Sequence, residues 1–179
     1  MPLIDYQPRE SASPRAREIL DRWEDEHGKR SLILESLAVH DQTMEAFIGF
    51  FRHAMDGGML DRELKELVAY TVSEANSCEY CASSHRETLT AVLGISDDTA
   101  AAVSSGALEA LPPRQRAVTE LARQAALDPK RVDDKLLASL RAEGFDDSEI
   151  IELLGVVCLF QAANTYVDAL NIFPSDIEA

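Results

Sequence analysis

The chain has 179 residues, 46% hydrophobic and 27% charged, which is the balance of a globular protein and not of a disordered or fibrous one. That length suits one domain with a sizeable core. With 17 basic and 32 acidic residues the formal net charge is −15, and no basic cluster is interleaved with aromatics, so nucleic acid and anionic membrane surfaces are poor partners.

Residues 1–13 form an arm punctuated by Pro2 and Pro8, without the basic segment and apolar run of a targeting sequence. No membrane span is expected. Ser13 followed by Pro14 reads as an N-cap with proline at N1, opening a helix that runs to about His27 and closes at Gly28. A short helical segment over 31–38 follows. Asp41 then caps a helix over 42–55 that ends at Gly57-Gly58, and Asp61 opens the next.

In that next helix Leu64, Leu67, Val68, Thr71, Val72 and Ala75 form an apolar stripe at helical spacing. Glu66 falls on the other side with Tyr70, Ser73 and Ser77. Pattern alone makes that side a solvated face; a catalytic role for Glu66 requires a neighbouring helix to pack there.

The neighbour is the stretch that states a chemistry, Cys78-x-x-Cys81-x-x-x-His85. Positions i, i+3 and i+7 place both sulfurs and the imidazole on one helix face, within about 60° of each other. Asn76 or Ser77 is placed to cap this helix, with Glu79 completing a capping box. Both cysteines then lie in the first turns, where free N–H groups and the positive end of the dipole favour a thiolate. A depressed thiol pKa and redox chemistry are the expectation.

The cysteine helix continues through Leu89 and Val92 to Gly94. A small helix begins at Ser96-Asp97-Asp98 and stops near Gly106, and helices over 113–126, 133–142 and 147–170 complete the chain. No run alternates apolar and polar residues, so the fold class is all-α, one domain over 1–179. Gly94-Ile95-Ser96-Asp97 and Gly144-Phe145-Asp146-Asp147 mark a weak echo between two halves.

Glu66, eleven intervening residues, then Cys78, Cys81 and His85 together resemble the active site of the alkylhydroperoxidase D-like proteins of the carboxymuconolactone decarboxylase superfamily. The resemblance covers about residues 42–173. It implies an all-helical domain built from two related halves, assembled as a trimer or hexamer, with no cofactor. It also implies that Cys81 is peroxidatic, that Cys78 forms the redox-active disulfide with it, and that Glu66 and His85 serve a proton relay. Alkylhydroperoxidase D carries a further relay histidine just before the second cysteine; here Tyr80 stands there as an accessory candidate. The implied activity is reduction of a hydroperoxide with an external dithiol, lipoyl-type or thioredoxin-like, as reductant.

Other readings of the same residues are a disulfide carrier without significant peroxidase activity and a zinc-binding structural protein. Zinc is disfavoured because three ligands crowd one helix start instead of forming two separated pairs. Lactone decarboxylation has no use for the cysteine pair. Three cysteines are too few for a disulfide framework, which favours a reducing, cytoplasmic setting. Cys158, inside an apolar run, reads as a core residue. His27, His40 and His53 read as surface or capping residues, and Trp23 as a core or subunit contact.

Overall fold

The computed structural model describes residues 1–177. Among these the elements are α1 (Pro14–His27), α2 (Leu32–Leu37), α3 (Asp41–Met55), α4 (Arg62–Ala75), α5 (Glu79–Glu87), α6 (Asp97–Ser105), α7 (Pro113–Leu127), α8 (Asp134–Ala142) and α9 (Asp147–Leu170), with short 3₁₀ turns between some of them. No strand occurs among the described residues.

Local signals set most of the helix ends. Ser13 Oγ accepts from the Ala16 N–H at 3.0 Å with Pro14 at N1, and Gly28 ends α1 in the left-handed region at φ 68°. A full capping box of Asp146 and Glu149 starts α9. One cap differs from expectation. His40, not Asp41, caps α3, its Nδ1 accepting from the Thr43 N–H at 3.2 Å. Asp41 is engaged elsewhere, because its carboxylate accepts from Ser13 Oγ at 2.8 Å and ties α3 to the start of α1.

Helix α4 is the centre of the molecule, packed against α5, α7 and α9. Every residue from Leu64 to Ser73 is buried. The polar side that periodicity assigned to solvent is therefore covered, and its groups are satisfied by protein: Glu66 by His85, Lys65 by Glu152, and Ser73 by the Ala69 carbonyl. Helix α9, with a mean hydropathy of 1.6 over its most apolar window, is long and apolar enough to cross a membrane. In this fold it is a core helix against α3, α4 and α7.

The N-terminal arm folds back on its own chain. The Leu3 N–H donates to the Leu170 carbonyl at 2.9 Å and the Gln7 N–H to the Glu35 carbonyl at 3.1 Å. Through these bonds the arm closes over the end of α9 and the α2 segment.

Lys65, 1% exposed, meets Glu152 at 2.8 Å. The same carboxylate accepts the backbone N–H groups of Met59 at 2.8 Å and Leu60 at 3.3 Å, which fixes the α3–α4 turn on α9. Gly58 has φ 88°, and a Cβ there would lie 2.1 Å from Glu152 Oε1, so this turn requires glycine. Burial works to raise the Glu152 carboxyl, but the hydrogen bonds from Lys65, Met59 and Leu60 outweigh it and hold the group below the usual carboxylate range.

Glu152→Ala should thus leave the buried Lys65 with the Gly57 carbonyl but without its counter-ion and destabilise the fold by about 3–5 kcal/mol in urea unfolding. Because the folded pKa is depressed, the Glu152 contribution is fully present above its unfolded pKa of about 4.3 and disappears as pH falls through the lower folded value. The acid limb of the wild-type stability profile should be correspondingly flatter in the variant.

Candidate active site

Helices α4 and α5 are joined by a three-residue connection. Asn76 is the C-cap of α4, and its side chain donates to Gln161 on α9 instead of capping α5. Ser77 turns the chain at φ 58°, in the left-handed region without a glycine. The N-cap of α5 is then Cys78 itself, with no side-chain cap bond, so the expected Asn76 or Ser77 cap and its capping box are both absent. Cys78 stands at N-cap and Cys81 at N3, still at the start of the helix.

Both thiols are free and buried. They pack in a small apolar cluster with Leu32 from α2 and with Val167 and Ile172 from the end of α9. The interaction with the neighbouring Cys78, and after it burial, push the Cys81 thiol up. The depressed pKa expected of a helix-start cysteine is thus overturned for Cys81, because the neighbouring Cys78 and burial in an apolar setting both favour its neutral form.

His85 Nδ1 lies 2.8 Å from Glu66 Oε2. A carboxylate only accepts, so Nδ1 carries the proton and donates it, which leaves Nε2 as the free ring nitrogen. Glu66 is 5% exposed. Burial works to raise its carboxyl, yet the hydrogen bond from His85 and the nearby Arg62 guanidinium hold it below the ordinary value. Arg62 stands 3.6 Å from the other oxygen, one helical turn earlier. Phe160 of α9 meets the imidazole edge to face, centroids 4.4 Å apart at 88°, and holds the ring plane.

Cys81, His85, Glu66 and Tyr80 all line one cavity of about 330 Å³ between α1, α3, α5 and α9. Cys78 instead lines a second, more open and more polar pocket of about 600 Å³, with Glu74, Glu79 and Arg86. The Tyr80 phenol is pushed up to about 12, chiefly by burial, and has a backbone hydrogen bond with Leu32. It is a fixed part of the wall and not a group that exchanges protons near neutral pH.

The remaining expectations divide. Cys158 is exposed on α9, not in the core, because its apolar run turns an outward stripe to solvent. His40 caps α3 and His53 is exposed, as expected. His27 and Trp23 line the cavity beside Cys81. Sequence reasoning missed that role, and it missed Phe160. The partnership of Arg62 with Glu66 at i, i+4 was the one legible signal. No cluster of three or more His, Cys, Asp or Glu among the described residues is arranged to hold a metal.

An all-α chain that presents a helix-start Cys-x-x-Cys pair beside a carboxylate-held histidine is, as a class, a helical dithiol protein. Residues 41–124 match the carboxymuconolactone decarboxylase family. The fold is similar to that of a peroxidase-related protein from Ralstonia eutropha JMP134 described as an alkylhydroperoxidase AhpD core, at 22% identity and TM-score 0.88 over 98% of this chain and 93% of that one. A peroxidase-related protein from Silicibacter sp. TM1040 gives 20% identity and TM-score 0.85, covering 99% and 94%. The debrominase Bmp8 in complex with 2,3,4-tribromopyrrole gives 18% and 0.79, covering 94% and 89%. Curated proteins yield no match. The family match covers the stretch that carries Glu66, Cys78, Cys81 and His85, and the likeness over the whole chain is one of fold.

Because Cys78 and Cys81 are buried and Cys158 is exposed, brief alkylation of native reduced protein at neutral pH should modify Cys158 first and the buried pair later. Peptide mass mapping of the modified thiols checks the order. Equal rates for Cys81 and Cys158 would contradict the enclosure of Cys81.

Proposed function

We propose that the protein is a thiol-dependent hydroperoxide reductase. The observation that carries this reading is that Cys81 and His85 line one cavity while Glu66 fixes the imidazole with Nε2 free.

The resting Cys81 is protonated, so ionisation is coupled to substrate binding: Nε2 of His85 takes the thiol proton as the peroxide docks. The sulfur attacks the terminal peroxide oxygen and the O–O bond breaks. His85 returns the proton to the departing alkoxide, and Cys81 becomes a sulfenic acid. Cys78, packed in the same buried cluster, attacks the Cys81 sulfur to form the disulfide, and the hydroxyl leaves as water with the Cys78 thiol proton. An external dithiol then gives two electrons to the disulfide and is itself oxidised. The second pocket, where Cys78 forms part of the wall, is the side from which we expect the donor to approach.

Cys81→Ser should abolish peroxide turnover. Cys78→Ser should allow one round and leave a sulfenic acid on Cys81, trapped by a dimedone-type probe. Glu66→Gln should lower kcat without unfolding the domain, and His85→Ala should cost about 10²–10⁴-fold. A steady-state assay with a panel of dithiol donors measures all four. Full activity in Cys81→Ser would reverse the roles of the two cysteines.

A second reading, reductive removal of halogen from an aromatic ring, is favoured by the aromatic lining of the cavity and the likeness to the debrominase. Halide release from 2,3,4-tribromopyrrole, without peroxide consumption, would establish it in place of the first.

A further inference from the structure

The cavity beside Cys81 is larger than hydrogen peroxide needs. Its volume is about 330 Å³, whereas a water molecule takes about 30 Å³ of liquid, so a two-atom peroxide would leave most of it filled by water. The walls do not favour water. Trp23 and His27, one turn apart on α1, are stacked with centroids 3.8 Å apart at 11°. Phe51 of α3 meets Trp23 edge to face at 5.1 Å and 68°, and Phe160 stands across the His85 ring. Walls of ring faces and edges fit another aromatic ring.

The charged rim does not redirect this preference. Lys29 is engaged by Glu87 at 3.0 Å and Arg30 by Glu35 at 2.7 Å, so neither is left as a free anion site. His27 supplies the polar contact instead. Its Nδ1 lies 3.0 Å from the Trp23 carbonyl, and a carbonyl only accepts, so Nδ1 bears the proton and Nε2 is the polar ring atom that remains for a ligand.

We propose that this cavity takes a single-ring aromatic hydroperoxide, the ring lying among Trp23, Phe51 and Phe160, with His27 as a specificity residue that accepts from a hydroxyl on the ring. The reaction in this proposal rests on Cys81 being the peroxide-reducing thiol; the ring site rests on the wall geometry alone. Reduction follows the steps already given, the aromatic hydroperoxide leaving as its alcohol.

Trp23 is the sole tryptophan, so its fluorescence reads occupancy without any turnover. Reduced wild-type protein is titrated with 2-phenyl-2-propanol and with its 4-hydroxy derivative, with calorimetry in parallel. Both should saturate at roughly millimolar concentration or below, in keeping with about ten heavy atoms in an apolar site. Each should also slow alkylation of Cys81 and leave that of Cys158 unchanged, which locates the ring. His27→Phe keeps the stack on Trp23 and removes Nε2; it should weaken the hydroxylated ligand by about tenfold, the worth of one buried hydrogen bond, and leave the plain alcohol unaffected. In turnover, cumene hydroperoxide should exceed hydrogen peroxide in kcat/KM by at least about tenfold, one to two kcal/mol of ring contact being enough for that.

The two readings fail separately. No saturable signal by fluorescence or calorimetry, with hydrogen peroxide reduced as well as cumene hydroperoxide, overturns the aromatic site and leaves the peroxidase. Saturable binding with protection of Cys81 but no reduction of any hydroperoxide overturns the reaction. Equal weakening of both ligands in His27→Phe removes His27 as the hydroxyl acceptor.

Discussion

Two adjacent buried charges on α4, Lys65 and Glu66, constrain the rest of the structure. A charge taken out of water costs several kcal/mol unless it is paired and hydrogen-bonded, so each must find a partner on a different neighbour. Glu66 finds His85 on α5, and Lys65 finds Glu152 on α9. Between them the two pairs set how α5 and α9 sit against α4. The arrangement of the site follows from the same requirement that keeps the core intact, since the imidazole is oriented by the partner that Glu66 needs.

The helices were legible because their ends are written in short-range chemistry. Ser13-Pro14, Gly28, Gly106 and the Asp146 to Glu149 box each act within one turn, and the structure places helix ends at all of them. Glu66 was legible only through its spacing to the cysteines. Periodicity placed it on a solvated face because that argument assumes a helix with one buried side, whereas α4 is enclosed by three others. Cys158 failed in the opposite direction: an apolar run marks a core helix but does not say which of its faces points out. His27 was set aside because a histidine at a helix end is usually a solvated one. Its stacking on Trp23 and its place in the cavity depend on where α1 lies against α3, which no local pattern encodes.

The cysteine pair shows how a local rule can hold in position and fail in consequence. Cys78 and Cys81 do start a helix, where free N–H groups favour negative charge. Yet Leu32, Val167 and Ile172 enclose the sulfurs, and an apolar enclosure favours the neutral form of Cys81. The environment, not the helix terminus, decides the resting state of Cys81. A thiol so enclosed is slow toward adventitious electrophiles.

Helix α5 also separates two spaces of different character. Cys81 opens on an aromatic cavity and Cys78 on a polar pocket lined by Glu74, Glu79 and Arg86. The two cysteines pack in one buried cluster, so a change at one is felt by the other without a long movement of the chain. An oxidant too apolar for the polar pocket and a dithiol too polar for the aromatic cavity need not compete for one opening. Since Cys78 is fully buried in the reduced protein, attack on it from the polar side requires the first turn of α5 to shift. The turn directly before Cys78 is at Ser77, whose left-handed backbone is a conformation that an L-residue holds at some expense.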